Sequence, residues 1–515
     1  MKRIHKLLSV LIALAMFLTM GAGAGTAVRA DETTKHTITI EKNGTDEHTY
    51  DAYQVFSGKL SSDRKTLTDV AWGSGVKGDN LLTALKADTA FNGAFNTAAT
   101  AADVAEKLAA YTDDSAEAKE FATVVAANLS ETKAGTGTSF ISVTGDGYYF
   151  LKDVTAEGSL TVDTYSEYIL KVVGDVTVTP KNATTSSQKK VKDTTDGVLS
   201  DWQDSADWNI GDDVPFQLTA TVAADYADYS TYKLTFHDEE SEGLTFKSDT
   251  VKVKVDDNEV AKTLYTVVTT GLDDKCTFEI RFDNLKQVAG VKAGSKVTVE
   301  YKATLNDQAV IGSAGNPNES FVEFSNHPYD SRKTGKTPHD KVIVFTYQVV
   351  VNKVDGNKNP LPGAGFSLYR KGTDGTETQV REITAGAGTT FTFKGLDDGQ
   401  YVLKETTVPD GYNKIEDIAF KISAKHETSS DDPKLTSLMG ILEDGKTVNL
   451  GDSGKYTATV KLSEGSITTD VMNKKGTVLP STGGIGTRIF YAAGAILVAA
   501  AIALLVYRKK MASKA

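Results

Sequence analysis

Lys296-Val297-Thr298-Val299-Glu300-Tyr301 alternates polar and apolar side chains, and its apolar positions are β-branched or aromatic. A period of two puts the valines and the tyrosine on one face of an extended strand and the polar side chains on the other. The same signature returns at Thr37-Ile38-Thr39-Ile40, Val251 to Val255, Phe391-Thr392-Phe393 and Tyr456 to Leu462. Turns rich in Gly, Asp and Asn close these runs, which is the pattern of antiparallel β-sandwiches. From Leu81 to Leu129 the chain is instead rich in Ala, Leu and Lys and poor in β-branched residues, a composition that favours helix. The expectation is a mainly β chain with helices inserted in its first domain, packed on a sheet through Leu82, Leu85, Val104, Leu108 and Phe121.

Both ends carry targeting signals. Lys2, Arg3 and Lys6 precede an apolar run from Leu7 to Met20, and Val28-Arg29-Ala30 gives a small-residue cleavage site, so residues 1–30 read as a secretory signal. Near the other end stands Leu479-Pro480-Ser481-Thr482-Gly483, followed by an uncharged apolar stretch from Ile489 to Tyr507 and then Arg508, Lys509 and Lys510. The stretch is long enough for one helix to cross a bilayer, and the basic cluster places the C-terminus in the cytoplasm with the rest outside. Between these signals the chain is too long for a single core. Polar, proline-marked breaks fall from Thr179 to Ser187 and from Asn326 to Pro338. The reading is a first domain over 31–182, a middle domain over 183–345, a last domain over 346–476 and a sorting segment over 477–515.

The formal net charge is −12, and removing both targeting segments takes away only positive charges, which leaves about −21. Such a surface has no basic stripe for phosphates, so nucleic acid is excluded as a partner. The single cysteine, Cys276, cannot form an internal disulfide, and in Cys276-Thr277-Phe278-Glu279-Ile280 it reads as a buried small hydrophobe on a strand. No His/Cys or His/Glu spacing of a metal site, no nucleophile elbow and no phosphate loop appears, so no cofactor, no metal and no turnover enzyme is expected. The acidic stretch from Asp193 to Asp213 lacks the spacing of a calcium loop and reads as solvated.

The order of pentapeptide, apolar span and basic tail resembles the cell-wall sorting signal of Gram-positive surface proteins. That resemblance implies that a sortase cleaves between Thr482 and Gly483, holds the Thr482 carbonyl as a thioester and passes it to an amine. Asp175-Val176-Thr177-Val178-Thr179-Pro180-Lys181-Asn182 is similar to the motif of backbone pilins that reads Val-x-Val-Tyr-Pro-Lys-Asn, with Thr179 at the tyrosine position. Pro180 cannot continue a ladder, so Lys181 is displayed at a domain edge. The resemblance makes Lys181 the acceptor amine, with Thr482 of one subunit joined to Lys181 of the next in a linear polymer.

The last domain resembles the Cna-B-type, immunoglobulin-like domains of these pilins through Val350 to Gly356, Leu361 to Phe366, Tyr401 to Thr406 with Pro409 to Tyr412, and Val471 to Lys474. In that family a first-strand lysine bonds to a last-strand asparagine with the help of a glutamate, which here implies Lys353, Asn473 and Glu405. Strand alternation places Lys353 with Val351, and Glu405 with Leu403, on one face. The middle domain carries a fainter set, assigned to Lys189, Asn326 and Asp238. Lys190 competes with Lys189, but Lys189 shares a face with Val191. Gly147 to Asp153 echoes the Gly399 to Glu405 element without completing a set, so the first domain is assigned no bond.

The resemblance implies a wall-anchored, secreted pilus subunit whose partners are pilus-specific and housekeeping sortases, identical subunits and peptidoglycan. Accessory pilins and host surface ligands stay open. A monomeric wall-anchored adhesin of the same domain type is the alternative.

Overall fold

The computed structural model describes residues 34–61, 67–112, 115–156, 159–160, 162–180, 183–195, 198–328, 330–442, 458–476 and 485–512. The signal segment 1–30, Lys181 with Asn182, and the 479–483 pentapeptide lie outside the described residues. Among the described residues six sheets stack in three successive pairs along the chain.

In the first pair, Lys35–Ile40 lies between Phe140–Thr144 and Val176–Val178. Opposite it, Tyr50–Leu60 is flanked by Leu67–Trp72 and Gly147–Asp153. From Tyr50 to Phe56 the strand Tyr50–Leu60 is buried on both faces rather than alternating, with Gln54 half-buried. The reason is a second layer: Ile38, Ile141 and Val143 pack on one side of its sheet, and three helices cover the other. These are α1 (Gly78–Ala87), α2 (Ala101–Leu108) and α3 (Ala116–Ala127), with Leu81, Leu85, Val104, Leu108 and Phe121 pointing inward. Leu82 is only half-buried, since Leu81 takes the inward position on α1. A capping box between Thr100 and Asp103 starts α2, closing two free backbone donors.

Glu167, in Glu167–Val172, is buried in this first domain, and burial pushes its carboxyl up to about 7 against the pull of Lys152. The folded chain therefore keeps a proton that the unfolded chain releases near pH 4.3. That contribution is complete below the unfolded value and is lost as pH rises through about 7. Glu167→Gln is expected to stabilise this domain at pH 8 by on the order of 2 kcal/mol and to change little at pH 4. Urea denaturation at both pH values checks it, and equal effects at the two would count against this account.

The middle pair sets Asp213–Thr221, Leu244–Val255 and Lys296–Leu305 against Leu234–Glu240, Phe278–Phe282 and Asn316–Ser325. Val297, Val299 and Tyr301 all point into the core between them, together with Phe216, Phe236 and Phe324. The polar stretch from Asn326 to Pro338, which reads as a break in the sequence, is a fold within this pair. Thr334–Lys336 returns onto Asn316–Ser325, and Asp340–Phe345 then joins the same sheet.

One residue later Tyr347–Val354 opens the last pair, antiparallel to Thr390–Leu396 and parallel to Ser466–Met472. Gly365–Lys371, Gly399–Thr407 and Ile418–His426 face them in the second sheet. The two pairs meet closely: Gly312, at φ +99°, lies where an added Cβ would stand 2.5 Å from the Gly465 nitrogen. The chain ends in α4 (Ile485–Ala512), whose segment Ile489–Lys510 has a mean hydropathy of 2.6 and no buried face.

Cys276 departs from its expected place. The strand begins at Phe278, and Cys276 sits half-exposed in the preceding turn, its amide donating to Asp274 Oδ1 at 3.0 Å. Burial and the Asp274 carboxylate push its thiol well up, so it is held as an unreactive thiol.

Candidate functional site

Two buried lysines define the chemistry of the chain. In the last domain, the strand Tyr347–Val354 alternates so that Tyr347, Val349, Val351 and Lys353 all face inward. The parallel register Lys353↔Val471 brings Asn473 to the end of the neighbouring strand. Lys353 Nζ donates to Asn473 Oδ1 and, at 3.0 Å, to the Val471 carbonyl. From the opposite sheet, Glu405 accepts the Asn473 side-chain amide at 2.9 and 3.2 Å and lies 3.7 Å from Lys353 Nζ. The Ile415 amide holds Glu405 Oε2 at 3.0 Å. All three side chains are at most 1% exposed. Burial pushes Lys353 down to about 8, with Glu405 opposing, so about a tenth of the amine is neutral at pH 7 against less than a thousandth for an ordinary lysine.

The middle domain repeats the theme with different members. Lys189, on Ser186–Thr195, is fully buried between the rings of Phe216 and Tyr301, each 5.7 Å from Nζ. Nζ donates to Asp238 Oδ2 and to the Tyr301 hydroxyl at 3.1 Å. Tyr301 donates to Asp238 Oδ2 at 2.9 Å and accepts from Asn318 Nδ2 at 2.9 Å. Burial pushes Lys189 down and Asp238 up, each against the other's charge, which moves the pair toward neutral amine and neutral acid. Beside them, burial and then Asp238 push Glu240 up to about 8.

Asn326, the expected closing member, is not here. The register pairs Asp238 with Ser320, which puts Asn318 one inward position away. Asn326 lies eight residues further along, about 27 Å of extended chain. Its carbonyl accepts the Tyr165 amide of the first domain at 2.8 Å. Asn318 and Tyr301 were not singled out from the sequence, although both occupy inward parity on alternating strands. Lys190 faces the other way and pairs with Asp204.

At the first domain's edge the chain is tied down as far as Pro180. Thr179 Oγ1 donates to Glu41 Oε2 at 2.7 Å, and the Pro180 carbonyl accepts from Asn43 Nδ2 at 2.7 Å. Thr179 itself is exposed, and Pro180 is buried.

Residues 210–328 match the Gram-positive pilin backbone subunit 2, Cna-B-like domain. Residues 347–434 match a prealbumin-like fold domain, and residues 472–513 match the LPXTG cell wall anchor motif. The chain is 27% identical over 419 residues to the trypsin-resistant surface T6 protein of Streptococcus pyogenes serotype M6, covering 69% of this chain and 74% of that protein. Among solved structures, the T6 backbone pilin of serotype M6 Streptococcus pyogenes, described as modular and three-domain, aligns with a TM-score of 0.55 at 18% identity over 88% of this chain and all of that one. The full-length major pilin SpaD of Corynebacterium diphtheriae aligns at 17% identity over 87% of this chain and 98% of that one, with a TM-score of 0.48. Carrying a pilin-backbone domain, a prealbumin-like domain and an LPXTG anchor in succession, the chain belongs with the Gram-positive backbone pilins, secreted and anchored at the cell wall.

Proposed function

We propose that this backbone pilin is polymerised covalently, with a sortase joining Thr482 of one subunit to Lys181 of the next, and that internal Lys353–Asn473 and Lys189–Asn318 bonds stabilise its domains. The observation that carries this reading is the dry Lys353, Asn473 and Glu405 cluster, in which an amine, an amide and a carboxyl meet with no solvent between them.

The geometry supports a single self-processing event. Glu405 takes a proton from Lys353, leaving a neutral amine. The Nζ lone pair adds to Asn473 Cγ, and the carboxyl, 2.9 Å from Nδ2, passes its proton to the departing nitrogen and then takes up the second proton that Nζ loses as it becomes an amide. The C–Nδ2 bond breaks, ammonia leaves and a Cγ–Nζ amide remains. Nothing is oxidised or reduced, and the three residues are used once. Lys189, Asp238 and Asn318 would react in the same way, with Tyr301 orienting the amide.

Between subunits the donor is the Thr482 carbonyl and the acceptor the Lys181 amine, the residue that follows Pro180 in the sequence. Pilus-specific and housekeeping sortases, and peptidoglycan at the base, are the partners this requires. The test is electrophoresis of cell-wall extracts. Wild type is expected to give a high-molecular-weight ladder and Lys181→Ala a single species. One band in wild type, or a ladder that survives the substitution, would overturn the assignment.

A further inference from the structure

Outside the lysine clusters, buried charge concentrates where the middle and last domains meet. Asp193 and Asp207 come from the middle domain, on Ser186–Thr195 and Ser205–Asp207. Asp397 and Asp398 form the turn between Thr390–Leu396 and Gly399–Thr407, and His426 ends Ile418–His426. Asp207 and Asp397 are 2% and 0% exposed. Arg370 donates to Asp397 Oδ2 at 2.8 Å, and His426 Nε2 lies 3.3 Å from Asp193 Oδ2. Each of these basic groups thus contacts one carboxylate, and with four carboxylates against two cations the formal charge of the group is about −2 when all are ionised.

A second observation points into the same space. The Tyr347 hydroxyl, buried at the start of the last domain, faces Asp207 without a well-formed hydrogen bond. Burial first, and then the neighbouring aspartates, push Asp207 well above the usual carboxylate range. Burial likewise raises Asp397, with Arg370 opposing. Carboxylates gathered out of water with surplus negative charge are relieved by a positive ion.

Geometry favours the ion. One oxygen each from Asp207, Asp397 and Asp398 lie within 4.8 Å of one another. Three oxygens so spaced have a common point within about 2.8 Å of each, near the roughly 2.3–2.6 Å of calcium–oxygen bonds, so small side-chain adjustments bring all three onto a single ion. Three carboxylate oxygens are hard donors that suit calcium rather than a thiophilic metal.

We propose that Asp207, Asp397 and Asp398 form a calcium-class divalent cation site that clamps the middle domain to the last. Its ligands come from two domains, which is why the stretch from Asp193 to Asp213 shows no loop spacing by itself. The site does not depend on the covalent bonds proposed above.

The test uses the full chain in detergent, stripped with chelator and titrated with calcium chloride by calorimetry, with thermal melting alongside. Expected are one binding event of sub-millimolar to millimolar affinity and a higher melting temperature. Asp207→Asn and, separately, the half-buried Asp398→Asn should each weaken binding on the order of tenfold or more. Absence of both heat and stabilisation at several millimolar calcium would overturn the proposal, as would binding that neither variant alters.

Discussion

Glu405→Ala is expected to leave the chain one ammonia heavier than its sequence change requires, and to lower the melting temperature of the last domain sharply. In wild type the intact mass should fall short of the sequence mass by two ammonias, one for each internal bond. The size of the stability loss follows from the chain lengths involved. Lys353 and Asn473 are 120 positions apart. A cross-link closing a loop of that order constrains the unfolded chain by about 5 kcal/mol. For a domain of this size that corresponds to a fall of roughly 15–25 °C. The variant also leaves Lys353 buried beside an empty carboxyl site, which adds to the loss. Lys353→Ala separates the two effects, since it removes the bond without stranding an amine. It should show the same missing ammonia loss and a smaller fall in melting temperature. A wild-type mass equal to the sequence mass would refute both bonds at once.

Much of this was legible because alternation is a strong signal where a strand is buried on one face. Lys353 follows Val349 and Val351 at inward parity, and Glu405 follows Leu403 in the same way. The structure brings both to Asn473 because the first and last strands of the domain run side by side in parallel. The helices on the first sheet were legible from composition, since Ala-rich sequence without β-branched runs has few alternatives. Alternation, however, fixes a face and not a register. Asn318, Ser320, Val322 and Phe324 share inward parity, and Asn326 would continue it beyond the strand end. Only the pairing of Asp238 with Ser320 chooses among them. Cys276 was misplaced for a related reason, because the turn at Asp274 delays the strand by two residues. The aspartates at the domain junction were invisible as a group, since Asp207 and Asp397 are brought together only by the docking of two domains.

The middle domain offers the sharper discrimination. Asn318→Ala is expected to restore one ammonia to the mass and to cost on the order of 5 kcal/mol, because Lys189 and Asn318 would close a loop of similar length. Asn326→Ala should leave the mass deficit intact, since its side chain packs beside Gly335, past the end of the strand and eight residues from Asn318. Asp238→Ala is a poorer probe: it strands Lys189 in a fully buried pocket, and an unpaired buried charge alone costs about 3–5 kcal/mol. Tandem mass spectrometry of a digest with a glutamate-specific protease decides between the asparagines, because cleavage at Glu319 and Glu323 puts Asn318 and Asn326 on different peptides and the linked product must contain Lys189 and one of them. A branched peptide carrying Asn326 would sink the Asn318 assignment. The choice matters for load. Lys189 belongs to the sheet of Asp213–Thr221 and Lys296–Leu305, while Asn318 belongs to the facing sheet with Leu234–Glu240. A bond between them ties the two layers through the centre of the core. Tension entering the first strand of the domain would then pass into the opposite sheet through a covalent amide, without first separating the hydrophobic faces.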